Sequence, residues 1–591
     1  MRKKHFLFAS VLALLCGSST LHAQDFKLTS SGYFKNQGVD VMAFDDIYPE
    51  GHQGGVCIIM NGHRVATNGD IRLEATPGQW QPVPKQLDRK LGDNSITATL
   101  CYPDSSRHLT GFNPMIYPDL HLIYTVNVES KGKNIEVTVD LDRPIPQEFI
   151  GKVGFNLEFF PGSLFGKPWI MDGQSGIFPQ QPNSPLMTTQ PNYLHTGNYH
   201  DGKKSLADMN KLIGKGYSPI VADDIISEPY AKGTKFTSRP DDPYNKVTIE
   251  SLSGDLQLFD GRMNHNNGWF VLRSNIKPGV TKGAVKWIIT PNVVADWMYQ
   301  PVIQTSQIGY HPTQDKEAVI EMDIRDNRKE TAQIIRIDAD GEKVVKNVTP
   351  ANWGKFLRYN YLKVNFTDVK EPGLYKIKYN TSVSPIFRID NDVYARGVWQ
   401  PVLEYFLPVQ MCHMRVNEKY RVWHDCCHMD DAQMAPAHNH IDGYDQKEGL
   451  SKFKPGEVVP GVNIGGWHDA GDFDLRIESQ AGESYILALA YEAFHPNLDV
   501  TSIDQINRVT EIHQPDGKND LLQQVENGAL TVVNGYLALG RLYRGIICND
   551  LRQYVLLGDA AAMTDGKIGN EDDRWIFTAV SYTHLTLPTK A

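Results

Sequence analysis

One short stretch of the sequence, Gly465 to Asp472, combines two carboxylates with glycines and a tryptophan. It reads Gly-Gly-Trp-His-Asp-Ala-Gly-Asp, so two carboxylates, Asp469 and Asp472, lie three residues apart among glycines. Glycine adopts backbone conformations that are closed to other residues, so the three glycines can shape a tight loop. Two carboxylates on such a loop can hold one water molecule, and Trp467 offers a flat apolar face on which a sugar ring can stack. The stretch therefore predicts hydrolysis of a glycan.

The spacing of the two aspartates limits their roles. A glycosidase that inverts the anomeric configuration places its acid and its base about 6.5–9.5 Å apart, so that a water fits between them. Only Ala470 and Gly471 separate Asp469 from Asp472, too little for the pair to flank a sugar. Both are therefore expected to hold one water from the same side. The alternative for Asp472 is capping of the following helix, since Asp is a preferred N-cap residue.

Length and charge narrow the class of protein. At 591 residues the chain is too long for one hydrophobic core, so three or four domains are expected. The formal net charge of -10 gives no electrostatic basis for binding nucleic acid or an anionic membrane. Aromatic residues make up 10% of the chain, which suits a neutral, ring-shaped ligand but also suits packed cores.

Residues 1–23 are predicted to be a signal peptide. Three basic residues at positions 2–4 precede an apolar run over 6–15 and a cleavage sequence at 21–23. A membrane-spanning helix needs about 20 apolar residues, so this run is too short, and no later stretch is long enough. The weaker alternative is a lipid anchor on Cys16, because Leu15 is bulky where a small residue is expected. The mature protein is expected to be periplasmic, on the cell surface or secreted.

Residues 24–298 are predicted to form a β-rich domain of unknown role. Apolar and polar residues alternate over 134–141 and over 155–159, the pattern of half-buried strands. Prolines and glycines between such runs favour an antiparallel β-sandwich. Cys57 and Cys101 both fall here and could form a disulfide in an oxidising compartment. A carbohydrate-binding or spacer role is a hypothesis that rests on position alone.

Residues 301–391 are predicted to form a second, smaller β unit. Short apolar runs recur at the spacing of a sandwich, and turn sequences such as Asp340-Gly341 separate them. The strands are predicted at 317–322, 333–337, 362–366 and 375–379.

From Tyr394 onward the periodicity becomes helical. Apolar residues recur every three or four positions over 484–494 and over 519–544, whereas prolines interrupt a similar pattern over 398–409. Residues 394–580 are therefore predicted to be mainly helical, with functional loops between the helices. Residues 581–591 show no such periodicity and are predicted to be a non-native tail, the alternative being an ordinary polar tail.

Three segments together resemble glycoside hydrolase family 9. Gln307-Ile308-Gly309-Tyr310-His311-Pro312 is similar to the start of the immunoglobulin-like domain that precedes many of its catalytic domains. The loop Gly465 to Asp472 resembles the family's aspartate loop, and residues 427–432 resemble a second family segment. The resemblance implies an incomplete (α/α)6 barrel over 394–580. It also implies inverting, cellulase-type hydrolysis of β-1,4-glucans, with Asp472 as general base and Asp469 positioning the water.

The same resemblance implies bound metals. Some family members hold a structural zinc beside the aspartate loop, and calcium at sites that cannot be assigned here. Zinc favours a tetrahedral set of two cysteines and two histidines. The alternatives are buried cysteines, a Cys412–Cys427 disulfide, surface histidines, or ligation by Cys426, His413 or His424 instead. Matching residue by residue gives the ligands Cys412, Cys427, His428 and His468.

The general acid has no match in this sequence. In the family it is a glutamate far downstream, so this chain is expected to lack it and to be inactive by itself. One competing hypothesis is a non-catalytic or degenerate glycan-binding protein. Another is a metallohydrolase, which would need an open metal position. The expected partner is a β-glucan polysaccharide or oligosaccharide, with no nucleic acid and no membrane span, and the expected state is a monomer.

Overall fold

The structure is a computed structural model of the chain. It describes residues 25–45, 55–74, 76–77, 84–104, 120–185, 187–189, 225–263, 268–439, 445–469, 473–548 and 574–578. The predicted signal peptide and the predicted tail lie outside these residues. Within them, no helix combines the length and the apolar character needed to cross a bilayer.

The first part of the chain folds as two antiparallel sheets of nine strands each. Their inner faces share one continuous apolar core, which is the predicted β-sandwich. In spatial order, the first sheet contains Lys27–Leu28, Phe34–Asn36, Val39–Ala43, Val56–Met60, His63–Leu73, Val153–Phe159, Phe270–Asn275, Leu256–Asp260 and Ala231–Gly233. The second contains Gln174–Ile177, Pro168–Met171, Lys235–Ser238, Val247–Ser251, Val285–Pro291, Asn134–Leu141, Leu122–Lys131, Ser95–Tyr102 and Lys85–Leu91.

Smaller elements complete this part of the chain. Met187–Thr189 pairs with Ile225–Ser227 as a separate ribbon. Short 3-10 helices occur at Gln147–Phe149, Pro161–Ser163 and Gly261–Met263.

The strand predicted at 134–141 alternates between buried and half-buried residues as expected, but the one at 155–159 does not. All of Val153–Phe159 is buried, because a polar cluster covers its second face. Asn156 donates to Glu74 Oε1 at 2.6 Å and accepts from Arg273 Nη1 at 2.9 Å. Burial raises the pKa of Glu74 to about 7 despite the Arg273 charge. The prediction of a half-buried strand is therefore wrong here.

Cys57 and Cys101 do not form a disulfide with each other. Cys57 is buried in Val56–Met60 of the first sheet. Cys101 lies on the outward face of Ser95–Tyr102 in the second sheet, where its neighbours Leu100 and Tyr102 point into the core. The alternation of the strand thus turns the second thiol away from the first sheet.

The second β unit is a smaller sandwich with its own core. The four predicted strands are present, each longer than predicted by one or two residues, and the third, Tyr359–Asn365, is shifted from the predicted 362–366. One sheet contains Val302–Gln304, Glu317–Asp323, Tyr359–Asn365 and Ala351–Phe356. The other contains Gly341–Val348, Ala332–Asp338, Gly373–Tyr379, Ser382–Val383 and Phe387–Ile389.

The region after Tyr394 mixes helices with small sheets, and no (α/α)6 barrel is seen in its described residues. The prediction of a mainly helical, incomplete barrel is therefore wrong for this part. Its strands are only two to four residues long, too short to give a periodic signal. The helices are Gln400–Glu404, Leu407–Gln410, Ile477–Phe494 and Asp520–Leu539. The strands, sheet by sheet, are Arg421–His424, Arg415–Glu418, Val509–Ile512 and Thr501–Asp504; Gln433–Met434, Arg574–Phe577, Gly545–Cys548 and Leu475–Arg476; and His438–Asn439 with Asp445–Gln446.

The two long helices pack against each other through polar and small side chains. Most residues of the apolar stripes that the periodicity predicted are exposed instead, although Leu539 is buried and Ala490 and Val525 pack against the core. Ile486 is 65% exposed and Tyr536 is 52% exposed, whereas Gln480 and Asn527 are fully buried. The second long helix begins at the Asn519 cap, whose side chain accepts from Leu521 N, and ends at Gly540 with a left-handed φ of 72°.

Candidate functional site

A backbone pairing brings the aspartate loop next to the cysteines that precede it. The residues after helix Leu407–Gln410 run antiparallel to the start of the loop, with a bridge between Met411 and Trp467. Cys412 N donates to Gly466 O at 3.0 Å, and His468 N donates to Gln410 O at 2.6 Å. This pairing places Cys412 beside His468, although 56 residues separate them in the sequence.

The two long helices hold the same loop from the other side. The Gln480 amide accepts from Trp467 N and donates to Trp467 O, both at 2.8 Å. Asn527 Nδ2 donates to Gly466 O at 3.2 Å, and Gly466 N donates to Asn527 O at 2.9 Å. Gly465 has φ 65°, and a Cβ there would lie 2.3 Å from Asn527 O, so only glycine fits. The polar helix faces are buried because they fix this loop.

Trp467 is a packing residue and not a surface for sugar. Its side chain is 1% exposed and packs near Phe406, with 6.0 Å between ring centroids. Gly528 of the second long helix lies directly against the ring, since a Cβ there would be 2.2 Å from it. The prediction that Trp467 binds substrate is corrected by this burial.

Asp469 is partly exposed and has two polar contacts. Ser479 Oγ donates to its Oδ1 at 3.0 Å, and Arg476 Nε lies 3.3 Å from its Oδ2. The side chain is 29% exposed, so one side of the carboxylate remains open to solvent. Ala470, Gly471 and Asp472 lie outside the described residues. The N-cap residue of the helix that follows is Arg476. The alternative role of Asp472, as the N-cap of this helix, is therefore wrong.

Three residues beside Asp469 were not predicted from the sequence. Arg476 and Ser479 contact its carboxylate, and Glu483 lies one helical turn after Ser479. Burial and then the Asp469 charge raise the pKa of Glu483 to about 7. Within the described chain, Glu483 Oε2 is buried without a hydrogen-bond partner. Their spacing could have predicted them, because residues 476, 479 and 483 are three and four positions apart and so lie on one face of a helix that starts at 477.

The four predicted metal ligands form one buried cluster. The candidate ligand atoms of Cys412, Cys427, His428 and His468 all lie within 4.8 Å of one another. The two sulfurs are 3.7 Å apart, and the two facing imidazole nitrogens are 3.3 Å apart. Cys412 Sγ is 3.2 Å from His428 Nδ1, and Cys427 Sγ is 3.5 Å from His468 Nε2. The structure thus brings together every residue of the predicted set.

These four separations are close to the edges of a zinc tetrahedron, and the remaining two pairs of ligand atoms lie within 4.8 Å. Bond lengths of about 2.3 Å to sulfur and about 2.0–2.1 Å to nitrogen give edges of about 3.8 Å between sulfurs, about 3.6 Å between sulfur and nitrogen and about 3.3 Å between nitrogens. The outer ring nitrogen of His468 also faces Val409 O at 3.3 Å. The outer ring nitrogen of His428, Nε2, lies 3.9 Å from Asp431 Oδ2. Outer partners of this kind orient histidine ligands in metal sites.

The geometry also decides between the alternatives considered for these residues. Both histidines are buried, and a sulfur separation of 3.7 Å is far longer than a disulfide bond. His413 Nδ1 donates to Gly465 O instead, and Cys426 Sγ is directed toward Arg508 O. His424 Nδ1 contacts Asp425 O. None of these three residues joins the cluster.

The electrostatics of the cluster favour the metal-binding forms of His428 and Cys427, whereas burial raises the pKa of the Cys412 thiol. Burial lowers the pKa of His428 to about 3, so the imidazole is neutral and keeps a lone pair. Hydrogen bonds from Cys412, His428 and His468 lower the pKa of Cys427, which favours its thiolate. A thiolate at Cys427 beside a neutral His428 supplies two of the donors that zinc binds.

A model of the cellulase N-terminal Ig-like domain matches residues 298–384. The second β unit is therefore similar to a module known from cellulases. A search of curated proteins found no match.

Several solved structures are also similar to part of the chain. A metagenome-derived glycoside hydrolase family 9 endoglucanase is 22% identical over 47% of this chain and 46% of its own, with a TM-score of 0.34. A family 9 protein of Bacteroides ovatus is 19% identical over 47% and 45%, with a TM-score of 0.35. A zinc-binding triple mutant of a family 9 endoglucanase is 23% identical over 45% and 44%, with a TM-score of 0.31. The chain spans about half the length of these structures.

Proposed function

We propose that the protein belongs to a cellulase-type glycoside hydrolase that cleaves β-1,4-glucosidic bonds in glucans with inversion. The observation that carries the proposal is the placement of Asp469. It presents a partly exposed carboxylate on a loop whose backbone is fixed by Gln480, Asn527 and the segment 410–412. A rigid support of this kind is what a catalytic carboxylate needs.

In the proposed reaction Asp472 is the general base and Asp469 positions the water. Asp472 accepts a proton from the water while the water oxygen attacks the anomeric carbon. Asp469 accepts a hydrogen bond from the other O–H of the same water. Arg476 and Ser479 keep the Asp469 carboxylate in one orientation through the two contacts described above. The leaving-group oxygen takes its proton from a carboxylic acid that we do not assign to any residue of this chain.

We further propose that Cys412, Cys427, His428 and His468 hold a structural zinc ion. Four protein ligands close the coordination sphere, so the metal would supply rigidity and no catalytic water. The residues themselves explain the benefit. His468 directly precedes Asp469, so fixing its imidazole fixes the start of the catalytic segment. The same closed set argues against the metallohydrolase hypothesis. Calcium stays a prediction without assigned residues.

One observation favours the second candidate, a glycan-binding protein without activity. The carboxylate of Asp469 already has an ion pair and a hydrogen bond in this structure. A relic that only binds glycan would tolerate such occupation.

Activity assays separate the two candidates. The full-length gene and a fragment of residues 24–580 are expressed, and new reducing ends are measured on soluble β-glucans. We expect activity in the full-length protein, with an inverted anomeric product by NMR, and a loss of about 10³-fold or more in Asp472→Asn. We expect no activity in the fragment. Full activity of Asp472→Asn would reject the base assignment, and an inactive full-length protein that still binds glucan would favour the second candidate.

A further inference from the structure

A row of aromatic side chains starts at the junction of the two β units and crosses the immunoglobulin-like sheet. Each ring contacts the next, with centroid separations of 6.4, 5.1, 6.0 and 5.6 Å along the row. These steps are close to the length of one pyranose unit in an extended β-linked chain. The members, in order, are Trp297, Tyr299, Tyr359, Tyr361 and Trp353.

The row lies on the face of the sheet that points away from the core. Residues of Tyr359–Asn365 alternate, so Asn360, Leu362 and Val364 are buried while Tyr359 and Tyr361 are half-buried on the opposite face. Trp353, at the far end, is 58% exposed. The other four residues of the row are half-buried, and neighbouring ring planes are inclined by 53° to 89°, so the row offers one open ring face at Trp353 and ring edges beyond it.

One carboxylate holds two of the rings in place. Tyr299 Oη donates to Glu321 Oε1 at 2.8 Å, and Tyr361 Oη donates to Glu321 Oε2 at 3.1 Å. Because both hydroxyls are tethered to the same side chain, the rings keep their orientation before any ligand arrives. A preformed surface loses less conformational entropy on binding than a mobile one.

The row leads into a cleft of about 470 Å³ between the two β units. Trp297, Tyr299 and Tyr359 line it together with charged side chains of both signs. The cations are Lys27, Lys35, Arg325 and Arg358, and the anions are Asp25, Asp40 and Asp323. Asp323 and Arg325 pair at 2.7 Å. A lining that nearly balances its own charge does not suit an anion, but it offers donors and acceptors to the hydroxyls of a neutral sugar.

We propose that this row and the adjoining cleft bind a neutral β-linked glucan chain, at a surface formed entirely by residues before Tyr394. Trp353 stacks on one sugar face, the inclined rings behind it contact C–H groups of the sugars, and the charged side chains of the cleft hydrogen-bond the hydroxyls at one end. The choice of a glucan rests on the proposed function, whereas the stacking surface does not. Such a site would hold the polymer near the protein independently of the aspartate loop.

Affinity electrophoresis tests the proposal. The chain from residue 24 onward is run in native gels that contain hydroxyethyl cellulose, with an Asp469→Asn/Asp472→Asn background included to separate binding from hydrolysis. The test variant is Trp353→Ala/Tyr361→Ala. The matched control is Tyr420→Ala, a fully exposed aromatic residue that comes after Tyr394 and so lies outside the proposed surface. Sedimentation velocity is measured on each protein.

We expect the glucan to retard the parent protein and the control equally, in both backgrounds. We expect the double alanine variant to bind about tenfold more weakly, which corresponds to about 1.4 kcal/mol. Equal retardation of the double variant, no retardation of the parent, or stronger retardation by anionic polygalacturonate would each overturn the proposal. So would dimerisation of the parent that the double variant abolishes, because the surface would then be an interface between copies. Binding with no hydrolysis in the full-length protein would reject the proposed function alone.

Discussion

At the level of single residues, the cysteine–histidine cluster brings separate segments of the chain together beside the aspartate loop. Its four side chains come from three separate segments, near residues 412, 427–428 and 468. Two of the segments also pair through their backbones. A metal ion at this point would join all three, which is worth most where no regular element connects them.

The adjacent cysteines 426 and 427 give a matched test of zinc binding. We expect about one zinc per chain in protein purified without chelators, and a loss of most of it in Cys427→Ser. Cys426→Ser should retain the zinc, because its sulfur is directed at Arg508 O and not at the cluster. Metal content is measured by inductively coupled plasma mass spectrometry. Folded parent protein without zinc would contradict the assignment.

Glycine 528 should be essential for the position of Trp467. A methyl group there would lie 2.2 Å from the Trp467 ring, so Gly528→Ala must displace the indole or the helix. We expect a destabilisation of about 2 kcal/mol, within the usual range for overpacking. Urea unfolding monitored by tryptophan fluorescence measures it.

Gly482→Ala is the control for this substitution. Gly482 is an exposed position in the other long helix, and a methyl group added there would meet nothing within 4 Å. The substitution should stabilise by up to about 1 kcal/mol, because alanine is the better helix former. Equal effects of the two changes would show that the Trp467 contact does not matter.

At the scale of elements, the helix Ile477–Phe494 organises the site through its first two turns. Gln480 fixes the backbone of Trp467, Ser479 contacts Asp469, and Glu483 adds a second carboxyl group beside it. Glu483 has a folded-state pKa raised from 4.5 to about 7. Its neutral form is therefore favoured by folding. That contribution is complete below about pH 4.5 and is lost as the pH rises through 7.

Glu483→Gln should consequently change the pH dependence of stability. At pH 4.5 the variant and the parent should unfold at the same urea concentration. At pH 8 the variant should be more stable by about 1 kcal/mol, a value reduced because the group is only about half buried. The control is Glu492→Gln, at an exposed position of the same helix. A difference that is independent of pH would argue that packing, not charge, is responsible.

In the molecule as a whole, two β-sandwiches precede a region of mixed helices and small sheets, and the two long helices of that region leave apolar side chains exposed. Tyr485, Ile486 and Phe494 of one long helix are each more than 60% exposed, and Leu537 of the other is 70% exposed. Larger apolar patches on a protein surface usually contact another element or a partner.

The fragment of residues 24–580 is expected to bind the dye 1-anilinonaphthalene-8-sulfonate through these helix faces. Ile486→Glu/Tyr536→Glu should lower the fluorescence enhancement at least about twofold, because the substitutions place charges in the patch. Ile177→Ser, an equally exposed apolar residue of the first β unit, should leave it unchanged. Equal fluorescence in all three proteins would show that the dye binds elsewhere.

Strand positions, the candidate metal ligands and the loop glycines were predictable from the sequence, because each depends on short-range patterns or on family resemblance. Strand alternation predicted Asn134–Leu141, because a strand with one buried face repeats every two residues. Short apolar runs separated by turn sequences predicted the four strands of the second β unit. The sequence also pointed to the four candidate metal ligands through a family resemblance, and the structure brings all four together. Glycines 465 and 466 were correctly assigned to backbone that needs positive φ.

Which faces of the helices and strands are buried could not be predicted in the same way, because burial depends on packing between remote segments. Helical periodicity predicted helices over 484–494 and 519–544, whereas the structure has Ile477–Phe494 and Asp520–Leu539. Most of the recurring apolar residues are exposed, since periodicity does not say what a helix packs against. Trp467 is buried because Gly528 and Phe406 enclose it, and both are distant from it in the sequence. The aromatic row likewise joins residues 297–299 to two neighbouring strands. Contacts between remote segments set these outcomes, and a pattern along one segment does not contain them.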